Sequence, residues 1–327
     1  MTLEKRKEKE QKELTRLRKI NQKPQTAKYI KWIFVLVILV HVIDEIASNC
    51  AAYVQSSVVN DFFVVGQGMT YENGLAVLAS FSGVTLLLQL VAPFYKSLAD
   101  RFGRKPFLVI NTYGMALGLG LCFVSKSFGS YIIGTMITTF FIAHDMQVVY
   151  ILEVAPSDKR TRFYGITKCI GTLGLALVPL FRVIFMGNDP TKWRMVFFVP
   201  VLIAIAIATL CLLTARETKV YLAERISVLE RPLEERIAEK EAAKEQKKSA
   251  NKVGMWATIK LLLRHKDLRW LVLCANLYMF STMAMTGYYE SIMTTNGMAT
   301  EEVTKALFAF PFMFAALLLL CGFMGDS

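Results

Sequence analysis

"SLADRFGRK", residues 97–105, lies between two apolar runs, "LLLQLVAPF" (86–94) and "PFLVINTYGMALGLGLCFV" (106–124). Three cations (Arg101, Arg104, Lys105), one carboxylate (Asp100) and Gly103 are crowded into this hinge. The second run is about twenty residues long and carries almost nothing to face water. At 1.5 Å rise per residue that is the length needed to cross a hydrocarbon core of ~30 Å. A charged turn between two such blocks is the signature of a helical hairpin in a membrane.

Working outward, similar blocks recur along the chain of 327 residues, of which 54% are hydrophobic; the mean hydropathy is +0.41. A soluble core of this size would scatter its apolar residues at helix or strand periods and keep polar faces. Eight spans are predicted, at 30–55, 74–96, 106–125, 129–152, 164–186, 194–214, 269–292 and 303–325. The first is not a cleavable signal, because a long charged tail precedes it and no small-residue cleavage site follows.

The cations set the orientation. The tail through Lys31 holds 11 Lys and Arg, the 97–105 hinge with Lys96 holds 4, Lys159 to Lys168 hold 4, and 216–269 hold 14, together 33 of 38. The positive-inside rule then puts the N-terminus and every even-to-odd connection in the cytoplasm. The net charge of +12 reads as a topological signal and not as a nucleic-acid footprint. Four segments follow: a basic cytoplasmic tail (1–29), a six-helix bundle (30–214), a cytoplasmic loop with amphipathic helices (215–268) and two further helices (269–327). The tail reads as a frayed helix or disorder near anionic headgroups, most simply a solvated topogenic segment. In the loop, "VGMWATIKLLLRHKDLR" places Met255, Trp256, Ile259, Leu262 and Leu263 on one stripe suited to the membrane interface.

Enzyme chemistry finds no foothold. No G-x-S-x-G, H-E-x-x-H or P-loop pattern is present. The six cysteines include no C-x-x-C pair and lie in or beside predicted spans, and three histidines are too few for a metal cluster. No cofactor, metal site or catalytic residue is expected.

With its side assigned, Asp100-Arg101-Phe102-Gly103-Arg104-Lys105 resembles the hinge of the major facilitator superfamily of transporters, G-x-x-x-D-R-x-G-R-[RK], departing only at Lys96. "LEVAPSDKRTRFYG" (152–165) resembles that family's E-x-x-P-x-x-x-R segment, and "KWRMVFFVP" its Trp-Arg entry to helix 6. "ARETKVYLAERI" and "TGYYESIMTTNGMATEEV" resemble segments of its sugar-porter branch. The resemblance implies an all-α membrane protein of the superfamily's helical-bundle type, with a complete N-terminal six-helix half and the first two helices of the C-terminal half. It implies a multi-pass protein of the plasma (inner) membrane and a gate built from Asp100, Arg101, Gly103, Arg104, Lys105, Glu153 and Arg160, with Glu153 meeting Arg104 or Arg160. The branch's sugar-binding amides are replaced here by Tyr278, Met279, Thr282 and Ala284. "CGFMGDS" supplies Gly322-x-x-x-Asp326, the symmetry mate of the opening hinge, and a chain cut after helix 8 is expected.

Substrate chemistry rests on polar residues inside spans, each costing roughly 2.5–3.5 kcal/mol at mid-bilayer unless it faces protein or water. His41, Asp44 and Glu45 are spaced i, i+3, i+4 on helix 1, so the imidazole shares a face with carboxylates that fan about 100° apart. Helix 4 adds His144 and Asp145, helix 5 Lys168 and Arg182, and helix 7 Tyr288, Tyr289 and Glu290. The expectation is a secondary carrier for a small polar organic solute, sugar-like or an organic ion, coupled to protons through Asp44 or Glu45. Its partners are the lipid bilayer, the solute and protons, with no nucleic acid. The alternative is a transporter-like sensor or scaffold that binds without transporting. Gly165, Gly171, Gly174 and Pro179 suit close packing and bending of helix 5.

Overall fold

The computed structural model describes residues 3–142, 144–155, 160–187, 189–237, 239, 264–274, 277 and 288–324. Every regular element among them is helical. In chain order they are α1 (Leu3–Asn21), α2 (Ala27–Asn49), α3 (Tyr71–Ser97), α4 (Arg104–Phe123), α5 (Phe128–Phe140), α6 (His144–Val154), α7 (Arg160–Gly174), α8 (Phe198–Thr214), α9 (Lys219–Glu230), α10 (Tyr289–Thr295) and α11 (Thr300–Met324). Arg104–Phe123, Arg160–Met186 and Pro190–Thr214 are long and apolar enough to cross a membrane. The predicted interfacial stripe, the four substituted amide positions and Gly322-x-x-x-Asp326 lie outside the described residues, the last through Asp326.

Several predicted spans are segmented helices. The first continues beyond α2 through a 3₁₀ turn (Ala52–Val54), an α turn (Gln55–Val59) and a π turn (Asn60–Val65). The fifth passes from α7 through Leu177–Phe181 into a π turn at Arg182–Met186. Such turns rotate the side chains that follow out of α register, and Asp61 and Arg182 lie in them.

The chain forms two units, 1–24 with 222–287 and 25–221 with 288–327. In the larger, α4 packs broadly on α5 and α8, and α7 on α2 and α11. Its core runs through Leu36, Val40, Ile43 and Ile46 of α2, Leu108, Met115 and Leu119 of α4, and Tyr131, Trp193 and Phe197. Trp193 is fully buried, edge-on to Phe62 and Tyr131, and its indole N–H donates to Asp61 Oδ2 at 3.1 Å. Arg194 Nη1 meets the same oxygen at 2.8 Å while its guanidinium lies 4.3 Å from the Trp193 ring. The "KWR" stretch thus fastens the start of helix 6 to the end of helix 1.

The smaller unit departs from the expectation of a frayed or disordered tail. Residues Leu3–Asn21 form a helix whose Leu14 is buried, as are Leu222, Leu229 and Leu233 of the loop segment. Ion pairs bracket this contact: Arg18–Glu230 at 2.7 Å, Arg225–Glu13 at 2.9 Å, and Lys7–Glu234 and Arg236–Glu10. Burial alone would raise the Glu10 carboxyl, but Arg236 and Arg6 hold it below its ordinary value. The reason for order is tertiary, since the tail's carboxylates find cations more than two hundred residues away.

Candidate functional site

Three polar constellations stand out in the larger unit. The first surrounds the 97–105 hinge. Gly103 has φ +108°, a conformation side chains rarely adopt, and it starts α4 without offering a capping side chain. The first turn of α4 carries Arg104 and Lys105 and no acid, an unfavourable charge at the positive end of a helix dipole. Glu217 compensates from 113 residues away, its Oε1 accepting from the Arg104 N–H at 2.8 Å and the Thr218 N–H at 3.1 Å, with the Lys105 N–H at 3.3 Å. Burial pushes the Glu217 carboxyl above its ordinary value, and these backbone N–H groups pull against that shift.

Arg104 Nε donates to Glu153 Oε1 at 3.0 Å, and its Nη1 bonds Asp100 one helical turn back. Thr218 closes the ring by donating to the other Glu153 oxygen. Lys105 Nζ donates to the Leu212 carbonyl at 2.8 Å, Tyr150 Oη to the Arg216 carbonyl at 2.6 Å and Tyr221 Oη to the Arg101 carbonyl at 3.1 Å. Among the described residues, Arg104 is thus the cation that meets Glu153. Arg160 donates to the Ala155 carbonyl at 3.4 Å, and Arg101 is exposed beside the Phe102 ring.

Glu217→Ala leaves three N–H groups without that acceptor and is expected to cost ~0.5–2 kcal/mol, as loss of a helix cap does. Thermal unfolding of the purified chain in detergent measures it. Glu217→Gln, which keeps an acceptor oxygen, is expected to recover part of the loss.

The second constellation is on α2. His41 and Asp44 are fully buried. His41 Nδ1 lies 3.8 Å from Asp44 Oδ2 and Nε2 lies 3.4 Å from Glu45 Oε1, while Lys168 Nζ of α7 stands 4.0 Å from the same Glu45 oxygen. The i, i+3, i+4 spacing thus brings three ionisable groups together, and Lys168 joins them from helix 5. Gln147 and Thr167, both buried, line the same small recess with Tyr164. Asp145 is on α6, and its side chain, like that of His144, lies outside the described residues.

The third is at the opposite end of helix 5 from Arg160. Arg182 and Glu290 are both buried and paired at 3.2 Å, with Glu290 also accepting from the Ser56 N–H at 2.9 Å and from its hydroxyl. Arg182 Nη1 donates to the Tyr53 carbonyl at 2.8 Å, and Ser291 donates to Gln55 at 2.6 Å. The start of α10 is thereby tied to helices 1 and 5. A cavity of about 730 Å³ opens beside the pair, lined by Ser56, Ser57, Tyr71, Glu72 and Thr294 among others. Tyr288 precedes α10 as its N-cap, and Tyr289 packs edge-on to Phe310 at 5.5 Å. Sequence reading singled out neither Glu217 nor Asp61. The signal available for the first was its place in "ARETKVYLAERI", the stretch that resembles a sugar-porter segment.

Comparison with known proteins places this geometry in a family. The tetracycline resistance protein, class H, of Pasteurella multocida is 28% identical over 152 residues, 45% of this chain and 36% of that protein. The plastidic glucose transporter 4 of Arabidopsis thaliana is 27% identical over 117 residues, 34% of this chain and 21% of that protein. The matched stretches thus span roughly a third and a fifth of these relatives. The crystal structure of a D-xylose-proton symporter superposes with a TM-score of 0.66 at 15% identity, covering 91% of this chain and 69% of that one. The xylose transporter XylE from E. coli, partially occluded and inward open, gives 0.65 at 15% identity over 91% and 74%. These structures share the fold. The sequence profile of the Major Facilitator Superfamily matches residues 46–327, so this chain is a multi-pass integral membrane protein of the Major Facilitator Superfamily.

Proposed function

We propose that the chain belongs to a secondary carrier that moves a small polar organic solute by alternating access, with protons as the coupling ion. The observation that carries the coupling is the cluster of buried His41 and Asp44 with half-buried Glu45 and Lys168, which bridges helix 1 and helix 5. A carboxylate held away from water can switch between a charged form that attracts Lys168 and His41 and a neutral form that releases them. Because Glu45 and Lys168 sit on different helices, protonation changes how tightly those helices are held. Similarity to sugar transporters makes a sugar the first solute to try, while the replaced amides and the tetracycline resistance relative keep an organic ion as the second. Asp145, Tyr288, Tyr289 and Glu290 complete the candidate cavity residues.

Two end clusters suit a gated pathway. Asp100, Arg101, Gly103, Arg104, Lys105, Glu153 and Arg160, joined by Glu217, would form the cytoplasmic gate element. Arg182 and Glu290 would hold the outer ends of helices 5 and 7. In this reading the N-terminus is cytoplasmic in the plasma membrane, 30–214 forms the first six-helix bundle, and 215–268 links it to helices in 269–327. The tail 1–29 precedes the bundle.

Uptake into proteoliposomes under an inward proton gradient tests the proposal, with D-xylose as first probe. The expected result is gradient-stimulated uptake that loses its pH dependence in Asp44→Asn or Glu45→Gln. Unchanged rate and pH dependence in both variants would remove the coupling role. Probe binding without uptake would favour a sensor or scaffold.

A further inference from the structure

The N-terminal helix segregates its charges in a way its composition conceals. At 100° per residue, Lys5, Lys9, Lys12, Arg16 and Lys19 fall within about 80° of arc along α1. All five are exposed, and no acidic residue falls in that arc. The acids are turned aside: Glu10 and Glu13 take Arg236 and Arg225 on the far face, and Glu8, flanking the arc, takes Lys12. Leu14 is buried on the side opposite the cations. Packing against the loop segment thus sorts a mixed-charge tail into a contact face and a basic ridge roughly 20 Å long.

We infer that this ridge docks on anionic lipid headgroups. The chain is an integral membrane protein, and only residues 22–26, including Lys23, separate α1 from α2, a reach of at most ~18 Å. A row of cations along one helix complements an extended anionic surface, and each Lys or Arg near such a surface strengthens attraction about fivefold. The cytoplasmic leaflet supplies that surface, so the inference rests on the cytoplasmic assignment of the N-terminus. Its chemistry does not depend on which solute is carried.

The test uses the full chain in lipid nanodiscs, which expose both membrane faces and so read the ridge whichever side the N-terminus occupies. Lysines are acetylated with an uncharged amine reagent, in phosphatidylcholine discs with and without phosphatidylserine, and quantified by mass spectrometry. Lys5, Lys9, Lys12 and Lys19 are expected to react about fivefold more slowly, relative to exposed Lys192 and Lys305, when phosphatidylserine is present. High salt is expected to abolish the difference. Equal changes at ridge and control lysines overturn the inference. So does protection that follows added RNA or polyglutamate in neutral discs and not phosphatidylserine, which would assign the ridge to a soluble polyanion. Combined Lys5→Gln, Lys9→Gln, Arg16→Gln and Lys19→Gln, all at exposed positions, is expected to lose phosphatidylserine enrichment among lipids retained after extraction; unchanged retention tells against the ridge.

Discussion

Glu290→Ala is expected to destabilise the folded chain by ~3–5 kcal/mol, the penalty for leaving one member of a buried ion pair uncompensated. The side chains of Glu290 and Arg182 are 1% and 5% exposed and 3.2 Å apart, so water cannot replace the lost carboxylate. The Ser56 N–H loses its acceptor as well. Unfolding of the detergent-solubilised protein measures the loss. Arg182→Met combined with Glu290→Leu removes both charges and is expected to regain most of it, because the pair's attraction largely offsets its own desolvation. Glu290→Ala behaving like wild type, or the double variant being worse than the single, would show that the pair does not hold this end of the bundle.

Gly171→Ala is the second large effect, expected at ~1–3 kcal/mol or more from overpacking. A Cβ on Gly171 would sit 1.8 Å from His41 Cδ2 and 2.7 Å from its Cγ and Nε2. The imidazole is buried between Asp44 and Glu45, so it has little room to yield. A double-mutant cycle separates this clash from general loosening of helix 5. His41→Ala is expected to be damaging in the wild-type background and to relieve much of the Gly171→Ala defect. Strict additivity of the two would place the clash elsewhere. The variant also bears on coupling, since moving the ring changes its approach to both carboxylates.

Helical character and the family were legible in the sequence for a simple reason. A bilayer demands about twenty apolar residues per crossing and satisfies backbone polar groups only within helices, so the length and hydropathy of each block suffice. The motifs were equally readable as short local patterns, "DRFGRK" and "KWR", although the partners they meet lie far along the chain. The i, i+3, i+4 spacing of His41, Asp44 and Glu45 likewise follows from helix geometry alone.

Long-range partners were not readable. Glu217 caps α4 from 113 residues away. Asp61 receives Trp193 and Arg194 from within a π turn that no residue pattern announces. Arg182 and Glu290 could each be named as polar residues in spans, but their pairing depends on which faces helices 5 and 7 present to each other. The tail shows the same division. Its cations and helix-forming residues are plain in sequence, whereas its order and its sorted faces come from carboxylates meeting Arg225 and Arg236. Hydrophobic blocks and turn residues by themselves determined a polytopic helical protein of this superfamily, since those are local requirements of the bilayer. Only the tertiary structure decided which charge meets which, because a buried ion chooses its partner by proximity in space, and proximity between distant segments is set by packing.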